Sequence, residues 1–148
     1  MPARPLSSLR LKVFIDANLL IRAATGRNTA VAFLVLRKDL RFITSEYLMM
    51  EVCPKAKLYG TSEECAFHDW FFPRTQIIES SPRLRRLARE EADRLGLSAM
   101  DALHLAAASV GGADLFLTGE GRNKPMYGSS LVTVRHYGDI QARATKLL

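Results

Sequence analysis

Four acidic residues stand where acids are rare. Asp16 closes the apolar run in VFIDANLLI, Glu51 sits in YLMMEVC, Asp101 in AMDALHL and Glu120 in LFLTGE. Ionised carboxylates are seldom taken into a core uncompensated, so acids inside core-forming stretches need a reason. Taken singly, each has a plain one. Asp16 could open the helix after it, and Asp101, three after Ser98, completes the S-x-x-D form of a capping box. Glu51 could lie on the exposed side of an amphipathic helix, and Glu120 could be a turn residue between Gly119 and Gly121. Gathered at about 5 Å, however, each pair would repel by roughly 3 kcal/mol, which protonation or a cation must relieve. Oxygen-only ligands favour hard ions, so Mg²⁺ or Mn²⁺ is expected. An ion held there could take phosphate oxygens, activate a bound water and steady a leaving oxygen.

The elements that must gather these acids alternate between strand and helix. Strands are expected at LKVFID (11–16), RFIT (41–44), TQIIES (75–80), DLFLT (114–118) and SLVTV (130–134). Between them, Asn18 is expected to cap LLIRAAT, and a helix should follow Asn28 through TAVAFLVLRKDL. Ser45 should cap a helix that Pro54 kinks or interrupts, and Thr61 with Glu64 begins another through Phe67, Trp70, Phe71 and Phe72. That aromatic patch could stack a base, but packing in the core or at an interface is expected. Pro82 opens a helix that Gly96 ends, Ser98 caps the next, and a last helix is expected near 137–146. This alternation predicts an α/β three-layer fold with a mostly parallel twisted sheet, whose ligands collect at the carboxyl ends of strands where the strand order reverses.

The chain of 148 residues suits a single domain (1–148), with residues 1–10 as a loose basic leader. Cys53 and Cys65 form no CxxC, so a disulfide framework or zinc site is not expected, and a cytoplasmic location is. No apolar run is long enough to span a membrane. The formal charge is +6, and everything outside the four acids carries +10, from 21 Lys and Arg against 11 remaining acids. An acidic pocket in a basic body suits a polyanionic substrate, with Arg22, Arg27, Arg122 and Lys124 as rim candidates. His104, three after Asp101 on the same helical face, could act as a base or phosphate contact, although carboxylate-plus-metal chemistry needs no histidine.

From about Lys12 to Val134 the chain resembles PIN-domain proteins, in particular the toxin ribonucleases of toxin–antitoxin systems. The segments that carry the likeness are VFIDANLLI, ITSEYLMMEV, MDALHLAAA and ADLFLTGE. The resemblance implies about five strands and a Mg²⁺- or Mn²⁺-dependent endoribonuclease that acts on single-stranded RNA and leaves 5′-phosphate and 3′-hydroxyl ends. It also implies an ion held by Asp16, Glu51 and Asp101 with help from Glu120, where an Asp is usual. Asn18, Ser45 and Thr118 would be supporting groups, and Asp114 a competing fourth carboxylate. A homodimer and a cognate antitoxin are the implied partners.

Three other readings remain open: an RNA-processing PIN nuclease, a catalytically weakened PIN-like RNA-binding or scaffold protein, and a phosphate-responsive α/β domain phosphorylated on Asp16. The last could be a receiver or a phosphatase; the phosphatase form usually wants D-x-D, which D-A-N does not supply.

Overall fold

The computed structural model describes residues 10–140. Five strands form one parallel sheet in the order β3-β2-β1-β4-β5: β1 (Leu11–Ile15), β2 (Leu40–Ser45), β3 (Gln76–Ile78), β4 (Leu115–Thr118) and β5 (Val134–His136). The expected three-layer α/β architecture is the one found. β1 is central and nearly all buried, as a strand covered on both faces must be. Its neighbours β2 and β4 lead away in opposite directions, so the strand order reverses at its carboxyl end.

The helices are α1 (Ala17–Thr25), α2 (Thr29–Leu34), α3 (Glu46–Tyr59), α4 (Ser62–Phe71), α5 (Pro82–Leu95) and α6 (Ala99–Val110). Helices α1 to α4 connect β1 to β2 and β2 to β3, and α5 and α6 return the chain to β4. With right-handed crossovers, that change of direction puts the two groups on opposite faces. Phe14 and Phe116 stack within the core, their centroids 5.4 Å apart.

Local chemistry sets several boundaries. Ser81 accepts from the Leu84 amide and Pro82 follows it, while Gly96 at φ 70° ends α5 in the left-handed region where a side chain would strain the backbone. Ser98 then caps α6 by accepting from the Asp101 amide at 3.2 Å. Four expectations need correction. Asp16, not Asn18, caps α1. The helix after Asn28 is only six residues long. β5 begins at Val134 rather than Ser130, because Glu91 and Ser129 side chains take the Ser130 and Leu131 amides that a ladder would need. Pro54 does not interrupt α3. It is exposed, so the carbonyl it leaves unpaired faces water. Pro54→Ala is accordingly expected to stabilise the fold by about 1–3 kcal/mol in urea denaturation; an unchanged midpoint would mean that the helix already accommodates the ring at no cost.

Tyr137–Asp139 forms a short 3₁₀ turn, and the rest of the expected last helix lies outside the described residues, as does the leader apart from Arg10. The Phe67, Phe71 and Phe72 rings pack together, with Trp70 at their exposed edge. Cys53 and Cys65 are free thiols. Among the described residues no helix is long and apolar enough to cross a membrane.

Candidate active site

The end of β1 delivers Asp16 to the point where the strand order reverses. Its Oδ1 accepts from the Ala17 amide at 2.8 Å, and its Oδ2 from the Thr118 hydroxyl at 2.8 Å, which joins the ends of β1 and β4. Thr118 Oγ1 in turn accepts from the Glu120 amide at 3.0 Å. Asn18, one residue into α1, accepts from the Gly119 amide at 3.1 Å and donates to Glu120 Oε1 at 3.3 Å. Gly119 packs closely against Arg22 and Leu19: a Cβ there would lie 2.7 Å from Arg22 Nη1 and would displace the end of that side chain. The Tyr127 hydroxyl donates to the Glu120 carbonyl at 2.8 Å and fixes the turn from the other side.

A second set of contacts comes from the helices. Glu51 on α3 meets His104 on α6, Oε2 to Nε2 at 2.6 Å. His104 is buried against the Phe14 ring, and its Nδ1 has no partner among the described residues. Asp101 lies one turn earlier on α6 and shares a cavity of about 210 Å³ with Glu120 and Lys124.

These placements explain the electrostatics. Burial raises the Asp16 pKa from 3.8 to about 6; the nearby His104 and the Thr118 and Ala17 hydrogen bonds pull it down, and the charge of Asp101 adds to the rise. Glu51 goes the other way: its hydrogen bond to His104 holds it below the usual carboxylate range against the opposing effect of burial.

The structure brings Asp16, Asn18, Thr118 and Glu120 into one network, with Glu51 and His104 in another and Asp101 close enough to act on Asp16. It does not gather the four acids around a single point. Among the described residues no three His, Cys, Asp or Glu side chains are placed to hold one metal ion. The donor chemistry nevertheless fits a hard divalent cation. Asp16 is an oxygen donor whose ionised form is penalised by burial and by a second carboxylate. Mg²⁺ commonly takes one or two carboxylates and fills its shell with water and phosphate oxygens. Asp16 and Asp101 would hold such an ion, with Glu120, which lines the same cavity as Asp101, as an additional carboxylate.

Other expected site residues fall elsewhere. Asp114 accepts from the Lys12 amide at 2.9 Å, at the opposite end of the sheet, about 13 Å along β1 from Asp16, and is no candidate for the site. The chain turns away from the site along α1, which places Arg27 beyond its far end, roughly 14 Å of helix away. Ser45 is buried with its hydroxyl capping α3 through the Leu48 amide. Arg122 pairs with Asp139 at 2.7 Å. Arg22 stays at the site, packed on Gly119 and 6.0 Å above the Tyr137 ring. The sequence reading passed over Tyr127 entirely, because nothing in a glycine-rich loop marks which side chain will fold back onto it.

The sequence matches the PIN domain over residues 13–124. No curated protein sequence matches the chain. Solved structures do resemble it. VapBC2 from Rickettsia felis, bound to a DNA fragment from its promoter, has a chain that superposes with a TM-score of 0.66 at 16% identity, over 85% of this chain and 98% of that one. DNA-bound VapBC from Salmonella typhimurium gives 0.66 at 17% identity, over 86% and 98%. VapC20 from Mycobacterium tuberculosis, described as a sarcin–ricin loop cleaving toxin, gives 0.62 at 18%, over 83% and 98%. At these identities the likeness establishes the fold, and it agrees with the sequence match covering most of the chain: this protein belongs to the PIN domain family.

Proposed function

We propose that the protein is a Mg²⁺- or Mn²⁺-dependent endoribonuclease that hydrolyses phosphodiester bonds in single-stranded RNA, acting in the cytoplasm as the toxin of a toxin–antitoxin pair. The observation that carries this reading is Asp16: a buried carboxylate, braced by Thr118 and close to Asp101, with a pKa raised to about 6. Its role as the N-cap of α1 would be served equally well by a neutral Asn or Ser, so capping alone does not require an acid there. The toxin setting draws support from the neighbours, which are toxin–antitoxin complexes and a toxin named for cleaving an RNA loop. Met50, Leu58 and Tyr59 of α3 and Ile21 of α1 are exposed, and an antitoxin or a second copy of the chain would cover such side chains.

In this reading Asp16 and Asp101 hold the cation, which when bound supplies positive charge to the phosphate oxygens. Thr118 and Ala17 fix the Asp16 carboxylate, so little reorganisation is needed as charge develops. Asn18 keeps Glu120 turned toward the site. Glu51 has Oε2 engaged by His104, which leaves Oε1 to accept the proton of the attacking water. Water oxygen bonds to phosphorus as the bond to the 3′ oxygen breaks, and the leaving 3′ oxygen takes its proton from a solvent water. Lys124 and Arg22 lie where they can contact phosphates.

The test is incubation of single-stranded RNAs with Mg²⁺, Mn²⁺ or chelator, comparing wild type with Asp101→Asn. Cleavage should need the ion and fall at least about hundredfold in the variant. The split placement of the acids favours one alternative, a PIN-like protein that binds RNA without cutting it. A folded wild type that binds RNA and never cleaves it with either ion would select that alternative.

A further inference from the structure

The positive charge of this protein is not where its carboxylates are. A groove of about 600 Å³ runs along the sheet margin where β1 and β2 begin and the chain enters β3. Arg10, Lys12, Arg37, Lys38, Arg41 and Arg74 line it, and no acid does. The whole chain has 21 Lys and Arg against 15 Asp and Glu, so outside this groove it is neutral, with fifteen of each. Arg37 is occupied, bound to Asp39 at 2.6 Å and to the Ile140 carbonyl. The other five cations have no acidic partner among the described residues. Like charges around one concavity repel, which disfavours the compact state unless an anion is drawn in.

Aromatic surface lies among these cations. Trp70 and Phe42 form part of the wall, and the Arg74 guanidinium sits 4.8 Å from the Trp70 ring centroid while donating to the Trp70 carbonyl. Guanidinium and ammonium groups that track a backbone, beside an exposed ring on which a base can stack, are the physical requirements for holding a single nucleic-acid strand. An acidic polypeptide would satisfy the charges and leave the ring without a role.

We propose that this groove is a second binding site for single-stranded RNA, separate from the carboxylate centre and roughly 13 Å from it along β1. The identification of that strand as the substrate rests on the nuclease reading above; the binding itself does not. In the nuclease reading the groove would hold one part of the RNA while the carboxylate end cuts another.

The test measures anisotropy of a fluorescein-labelled oligouridylate of about twenty nucleotides, in chelator so that no cleavage occurs. It compares wild type, Arg41→Glu/Arg74→Glu, Trp70→Ala and a charge-matched control, Arg83→Glu/Arg86→Glu on the exposed side of α5. Arg41→Ala/Arg74→Ala keeps the test sound if charge reversal impairs folding. The groove pair should weaken binding at least tenfold and reduce the salt slope by about 1.4 for two lost phosphate contacts, and the control should change affinity less than threefold. Trp70→Ala should weaken binding several-fold with the salt slope unchanged. Equal losses in groove and control variants would overturn the proposal in favour of unspecific charge, as would wild-type binding by the groove variants. If those variants bind RNA normally and lose only a polyglutamate probe, the groove belongs to an acidic protein partner and the proposal also fails. Wild type that binds RNA through the groove but never cleaves it would remove the nuclease reading and leave this site standing. Cleavage that does not respond to the groove variants, with unchanged binding, would do the reverse.

Discussion

Replacing Asp16 with Asn should cut cleavage at least about hundredfold and make the protein more stable. The stability gain follows from the burial that raises the pKa to about 6, against 3.8 for a free aspartate, with Asp101 adding to the shift. That difference corresponds to about 3 kcal/mol of penalty on the ionised form. The native state therefore holds this proton more tightly than the unfolded chain does. Stability falls as pH rises from about 4 to about 6 and stays low above that. Asn accepts from the Ala17 amide as Asp does and caps a helix equally well, so the variant keeps the local structure and loses the penalty. At pH 7.5 the variant should be about 1–3 kcal/mol more stable in urea denaturation, and the gap should shrink toward pH 4.5. Cleavage should drop by about 10²- to 10³-fold, the size of effect seen when a single group stabilising transition-state charge is lost. Mn²⁺ should raise the melting temperature of wild type and leave that of the variant unchanged. A variant less stable than wild type at pH 7.5 would show that the Asp16 carboxylate is comfortable as an anion, and the case for a cation there would be gone.

The second large effect is expected at Glu91, a residue far from the carboxylates and almost fully buried, with a relative exposure of 4%. It accepts from Arg94 Nε at 2.8 Å, the Ser129 hydroxyl at 2.7 Å and the Ser130 amide at 2.9 Å, while Arg94 also donates to the Gly128 carbonyl at 3.0 Å. Burial alone would raise its pKa; these hydrogen bonds outweigh burial and hold it below the usual range. The group ties α5 to the loop that returns from Glu120 and carries Lys124, Met126 and Tyr127. Glu91→Ala leaves the Ser130 amide, the Ser129 hydroxyl and the Arg94 guanidinium without this acceptor and opens a gap under the loop, at a cost of about 2–4 kcal/mol. A thermal midpoint lower by roughly 4–12 °C is expected. With a depressed native pKa, the wild-type contribution is complete above the ordinary carboxylate value near 4.5 and is lost as pH falls through the lower native one. The loss in Glu91→Ala should accordingly be largest at neutral pH and smaller near pH 3. A shift within 0.5 kcal/mol at pH 7 would mean that the loop is held by Met126 and the remaining apolar contacts alone.

What the sequence made legible depended on how local the determining contact was. Helices α5 and α6 could be read because their signals lie within a few residues: Ser81 and Pro82 at one start, Gly96 at the end, Ser98 at the next start. The end of β1 could be read because the apolar run Val13, Phe14, Ile15 stops at Asp16. The start of β5 was misjudged, since Glu91, thirty-nine residues upstream of Ser130, claims the amide that would have begun it. Arg27 is expected near the site because it follows a strand end, and Asp114 only as what the family resemblance implies; what decides is direction. Arg27 follows the helix that leaves the site, and Asp114 precedes the strand that arrives there. The Glu51–His104 contact requires α3 and α6 to meet, which no periodicity reveals. Basic residues around the pocket were expected from net charge, and net charge carries no position; the structure concentrates it on the other margin of the sheet.

The central strand has one further consequence. Asp16 near the start of the chain is completed by Thr118, 102 residues later, and β1 acquires its second neighbour only with β4. A nascent polypeptide that has emerged as far as Leu95 possesses three strands of the sheet, yet it lacks Asp101, Thr118 and Glu120. In the nuclease reading proposed above, the carboxylate centre closes only once β4 has joined the sheet, so a chain that stops short of β4 would be without the activity.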